Sequence, residues 1–108
     1  MAESTINCPN KANAITFTRN TSTTSASSTG GNVVNRIGVV RVDLTTSSSI
    51  GAGWQTVGTV NEPASYRVYF TVSSSTNAVR IGTIVGDTVS LLNPASSTNY
   101  MGEFVYVT

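Results

Sequence analysis

Two runs of β-forming residues flank a short polar segment between Gly53 and Thr71, and most of the chain repeats that arrangement at similar spacing. Trp54 to Val60 is rich in β-formers. From Tyr66 to Thr71 the pattern alternates, with Val68 and Phe70 on one face and Arg67 and Tyr69 on the other. A period of two is the signature of a strand with one buried face. The two runs are expected to form a pair of strands joined by residues 61–65. That pair should sit at the centre of the domain, because it has the most apolar area to bury.

The remaining elements follow in order. In residues 13–18, Ile15 and Phe17 share a face and mark a first strand. Residues 19–31 are Ser/Thr/Asn-rich with no apolar side chain larger than Ala, so a long exposed loop is expected there. Strands are predicted over 32–36 and 38–45 with a bend at Ile37-Gly38. In the second, Val40, Val42 and Leu44 point one way and Val39, Arg41 and Asp43 the other. After a small-residue gap at 46–53 and the central pair, a strand is predicted over 78–84 with Val79 and Ile81 inward and Arg80 outward. Gly86-Asp87 then reverses the chain into 88–92, where Val89 and Leu91 share a face. Residues 93–99 read as a loop and 100–108 as a last strand. The sum is an all-β domain, an antiparallel β-sandwich of about eight strands, jelly-roll-like and without helices. It occupies residues 13–108, and residues 1–12 form a polar N-terminal arm.

The last strand departs from simple alternation, since Phe104, Val105, Tyr106 and Val107 are apolar on both faces. Either identical subunits cover its second face, making these four residues a subunit interface, or a loop of the same chain does.

Composition narrows the chemistry. The 108 residues carry a formal charge of +1 with no basic run, so neither a nucleic-acid backbone nor an anionic membrane is an expected partner. No apolar run reaches the roughly 20 residues of a membrane helix, and the first ten residues do not resemble a signal peptide. Cys8 is the only cysteine, which excludes an intrachain disulfide. The absence of His removes the commonest general base and metal ligand, and no G-x-S-x-G motif or D-x-D calcium spacing occurs. Asp43, Glu62, Asp87 and Glu103 are the carboxylates from which a glycosidase pair would be drawn, and nothing in the sequence brings two of them together. No catalytic residue, metal or cofactor is therefore expected.

Binding fits better. A saccharide site needs an exposed aromatic to stack on a pyranose face and polar groups to reach its hydroxyls. Tyr69 with Arg67 on an outward strand face is one candidate, the competing reading being a contact between subunits. Trp54, at the start of a strand, is another, although a core position is favoured for a ring of that size. Tyr100 with Asn99 and Asn93, at the mouth of the last loop, is a third.

Several short segments also match a known pattern: TGGN before Val33-Val34, R-x-G-x-V-x-V from Arg36, W-x-T-x-G-T from Trp54, Y-x-V-Y from Tyr66, G-D-T-V-S-L from Gly86 and a terminal G-x-F-V-Y strand. Together they resemble the C-terminal β-sandwich, the head or tip, of phage tail-fibre and baseplate receptor-binding proteins. The resemblance implies a non-enzymatic virion surface protein, homotrimeric about a fibre axis. Its partners would be other virion proteins and bacterial surface polysaccharide or protein. Where such tips commonly carry L-P-x-G-Y-R-P, this chain has V-N-E-P-A-S-Y-R-V, and it lacks a shaft. A capsid-decorating or head-fibre protein is thus the alternative to an excised tip.

Overall fold

The computed structural model describes residues 12–108, so all of the expected arm except Ala12, and Cys8 with it, lies outside the described residues. Strands β1 (Ala12–Arg19), β2 (Thr24–Ser27), β3 (Gly30–Val34), β4 (Ile37–Thr46), β5 (Trp54–Val60), β6 (Val68–Ser74), β7 (Val79–Val85), β8 (Thr88–Leu92) and β9 (Asn99–Val107) follow one another. No helix occurs among the described residues.

The fold is all-β and antiparallel as expected, but it is a barrel and not a sandwich. The strands run β4-β3-β1-β5-β8-β7-β6-β9, and β9 returns to β4, closing a ring of eight, with β2 as an extra strand beside the C-terminal part of β4. Closure is the most extensive pairing in the molecule, running without interruption from Ile37 opposite Val107 to Thr45 opposite Asn99. Alternation tells which side chains point inward and leaves open which strands meet, so the same pattern serves a sandwich or a barrel. The central pair is likewise corrected. Between β5 and β6 lie β8 and β7, in Greek-key order. Residues 61–67 instead cross one end of the barrel, held where Ala64 N donates to Gly86 O (2.8 Å) and Ser65 N to Val107 O (2.7 Å).

Three local expectations also change. The β3–β4 hairpin turns at Asn35-Arg36, whose φ values of 51° and 69° are the paired left-handed conformations of a type I′ turn, so the predicted strand ends before Arg36 and there is no bend at Gly38. The Ser/Thr segment expected to be a loop builds β2 and the start of β3, with Thr24 only 1% exposed. Hydroxyls do there what large apolar side chains do elsewhere. The Asn20 carbonyl accepts from the Thr24 backbone N–H and hydroxyl, and at the break between β2 and β3 the Thr29 hydroxyl accepts from Asp43 N (3.0 Å) and faces Asp43 O (3.2 Å). In β7, Val79 and Ile81 point outward, 58% and 47% exposed, while Gly82 and Ile84 point inward. Arg80 shares the inward parity at the strand's end, where its Nε donates to Asn93 O (2.9 Å).

The reason for that parity is steric. Gly82 faces Phe70 across β6–β7, and a Cβ on Gly82 would stand 2.4 Å from the Phe70 ring. Gly38 faces Tyr106 in the same way, at 2.6 Å. A narrow barrel accepts large rings only where the neighbouring strand withdraws its own side chain. The interior is completed by Phe70 stacked on Phe104 (4.3 Å between centroids) and by Val40, Val42, Leu44, Val57, Ile84, Val89 and Leu91. The inward faces predicted for β4 and β8 are the ones observed. Every buried side-chain polar atom among the described residues has a hydrogen-bond partner.

Candidate functional site

Closing the barrel in this strand order sets four outward side chains in a row: Thr56 of β5, Ser90 of β8, Thr83 of β7 and Tyr69 of β6, each opposite the next. Directly opposed residues on one face of a sheet are neighbours, and diagonal ones remain within reach of long side chains. Trp54 lies two residues before Thr56 on the same face. The row is short and hydroxylated up to Tyr69, and Trp54 stands beside its Thr56 end, so the wall dips next to the two rings. The resulting cleft is about 270 Å³ and is lined by Trp54, Arg67, Tyr69, Thr83, Val85 and Ser90.

Its two rings stand 6.4 Å apart between centroids at 45° to each other, and both are open to solvent, Trp54 at 46% and Tyr69 at 57%. Thr83, although on the outer face, is only 8% exposed at the floor, and its hydroxyl donates to Val68 O (3.0 Å). Arg67 Nη1 donates to the Tyr69 hydroxyl (2.9 Å), and its guanidinium carbon lies 5.8 Å from the centre of that ring, within cation–π range. Arg67 is the one charged residue of the lining, and no carboxylate accompanies it.

Local structure fixes Trp54. Gly53, at φ 79°, turns the chain into β5, and its backbone is clamped by Asn93: Gly53 N donates to Asn93 Oδ1 (2.6 Å) and Asn93 N to Gly53 O (2.8 Å). Just beyond, β5 takes in an extra residue, for Thr56 faces Ser90 and Gly58 faces Val89, leaving Val57 unpaired. This bulge places both Val57 and Gly58 in the interior, with the Phe17 ring where a Gly58 Cβ would be. The W-x-T-x-G-T segment is accordingly the bulge that aims Trp54 outward.

Three predicted site residues, Trp54, Arg67 and Tyr69, are thus brought together. For Trp54 the expected core position is corrected, because its parity in β5 is opposite to that of buried Val57 across the bulge. The third candidate cluster offers no exposed ring for a sugar to stack on. Tyr100 is fully buried with its hydroxyl accepting from Ala95 N (3.0 Å), Asn99 donates to Asp43 Oδ1 (3.0 Å), and Asn93 is committed to Gly53. Thr83, Val85 and Ser90 escaped the sequence reading. Alternation marks Ser90 as outward, but only the interposition of β7 and β8 between β5 and β6 brings it beside the rings.

The expected subunit-interface quartet divides. Phe104 and Tyr106 are 3% and 1% exposed within the chain's own core, so they are withdrawn from any interface, whereas Val105 is 52% exposed and Val107 half-buried on the outer wall. Val105 faces Val39 across β4–β9, and with Val34 and Ile37 they form an exposed apolar strip. Beside the strip a groove of about 570 Å³ opens where Gly30 and Gly31 present no side chains, with Arg41 and Glu103 directly opposed at its end.

No family model, curated protein or solved structure matches the chain. Among the described residues no group of three or more Cys, Asp or Glu side chains converges on a point where a metal ion would sit. What the cleft offers is two aromatic rings, the hydroxyls of Tyr69, Thr83 and Ser90, and a guanidinium, a set suited to holding a small polar ring.

Proposed function

We propose that the chain is a non-enzymatic glycan-binding barrel, displayed on the surface of a phage virion as a homotrimer and used to attach to the host envelope. One observation carries the binding part: Trp54 and Tyr69 form an exposed, tilted pair of rings, 6.4 Å between centroids, beside Thr83 and Ser90 in one cleft. Pyranose rings present an apolar C–H face that aromatic side chains cover and hydroxyls that small polar side chains and Arg meet. At about 270 Å³ the cleft lies just below the roughly 300 Å³ at which pockets for drug-sized ligands begin, which suits a single sugar unit. One unit binds weakly, and three copies on a common axis would raise the effective affinity by multivalency. The placement on a virion rests on the sequence resemblance to fibre tips.

The binding reading is tested with labelled protein on susceptible cells. Wild type should decorate them, and Trp54→Ala and Tyr69→Ala should each lose most of the signal while keeping the wild-type far-UV spectrum. Decoration undiminished in both variants would remove the cleft from consideration. A second reading, a capsid-decorating protein, is favoured by the Val34, Ile37, Val39 and Val105 strip, an apolar face suited to another virion subunit. It predicts binding to particles stripped of this protein and none to cells. Light scattering over a dilution series tests the trimer: a mass three times that of the chain should persist on dilution, and a monomer throughout would refute that part.

A further inference from the structure

We propose that the sugar unit taken by the Trp54–Tyr69 cleft is an acidic one, a pyranose bearing a carboxylate, such as a uronic acid. This rests on the glycan-binding reading and narrows it. The lining carries one formal charge, the guanidinium of Arg67, and no carboxylate to neutralise it. Sites for neutral sugars commonly use Asp or Asn to accept from hydroxyls; here the side-chain acceptors of the lining are the hydroxyl oxygens of Tyr69, Thr83 and Ser90.

The donors, by contrast, are in surplus. Arg67 uses Nη1 on the Tyr69 hydroxyl, which holds the fork beside the ring, and its Nε and Nη2 make no hydrogen bond among the described residues. A planar carboxylate is the group that a guanidinium edge engages with two parallel hydrogen bonds. Because Arg67 also lies against the Tyr69 face, one side chain orients the aromatic wall and supplies the counter-charge. The substituent of the bound ring nearest Arg67 should then be the carboxylate, with the opposite edge of the ring towards Trp54.

The chain holds a single tryptophan, so its emission reports on this cleft alone. The experiment is a fluorescence titration of the full chain with methyl glycosides of glucose and galactose and of the corresponding uronic acids. Saturable changes are expected with at least one uronide, with affinity roughly tenfold or more above its neutral counterpart, the scale of a charge-assisted hydrogen bond. That preference should shrink as salt is raised. Arg67→Gln should bind the neutral and acidic forms alike, and Arg67→Lys should keep part of the preference, having the charge without the fork. Arg67 is exposed, and an unchanged thermal transition confirms that each variant is folded. Equal binding of neutral and acidic sugars by the wild type would overturn the inference and leave the glycan-binding reading standing. No response to any of the four would count against that reading itself.

Discussion

Tyr106 shows how much one side chain can do in a barrel of this width. Its ring fills the space that Gly38 vacates and leans on Phe104 at 5.7 Å, and its hydroxyl donates to Glu62 O (2.7 Å) in the segment that crosses the barrel's end. Burial, and secondarily the Glu62 carboxylate, push its ionisation above the ordinary phenol value of 10.0. The unfolded chain therefore releases this proton before the folded one does. The stability it contributes is whole below about pH 10 and is lost as the pH rises through the folded-state value. Tyr106→Phe should cost about 1–2 kcal/mol at neutral pH, since the Glu62 carbonyl loses its donor. Urea melts between pH 7 and 11 should find the wild type falling towards the variant at the alkaline end; a constant gap would show that the phenol does not contribute in this way. The exposed rings differ in kind. Trp54, set by the Gly53–Asn93 clamp, and Tyr69, bonded to the Arg67 guanidinium, are only partly covered.

At the level of elements, the β2–β3 strand is the one least like its neighbours. It has almost no apolar content before Val33, and it lies beside β4 through a backbone ladder on each side of the break and hydroxyl-to-backbone bonds at the break itself, those of Thr29 with Asp43. Thr29→Val keeps the shape and removes the hydroxyl, leaving the Asp43 N–H at the break without its partner, while Asp43 O keeps the Ser28 N–H. A loss of about 1–3 kcal/mol is expected, with faster amide exchange localised to β2 and the adjoining part of β4. Exchange unchanged in β2 would mean that the ladder on either side suffices. This element also marks the limit of what the sequence discloses. Strands with one apolar face, such as β4 and β8, were legible from alternation. Residues 19–31 were not, because Ser and Thr serve loops and strands equally well, and which they form depended on Asp43 being opposite. In β7 the apolar residues Val79 and Ile81 misled in the other direction, since the inward positions are taken by Arg80 and Gly82. Of the cleft, Tyr69 and Arg67 were legible as an outward pair, whereas their neighbours came from strand order, which no local pattern encodes.

For the molecule as a whole, the decisive contact is β4 with β9, Ile37 meeting Val107 and Thr45 meeting Asn99. A chain lacking β9 should show no cooperative thermal transition and no native far-UV spectrum, because Phe104 and Tyr106 leave the core with it and β4 and β6 are left as open edges. A truncated chain that still melts cooperatively would mean that the other strands form a stable unit without closure. The seam also carries the exposed Val39 and Val105, so a partner seated on that strip would brace the joint on which the barrel depends. During synthesis, a strand pairing of such long sequence separation cannot form until Asn99–Val107 has left the ribosome. Until then β4 and β6 present open edges to the cell, and the barrel closes only when that last strand arrives.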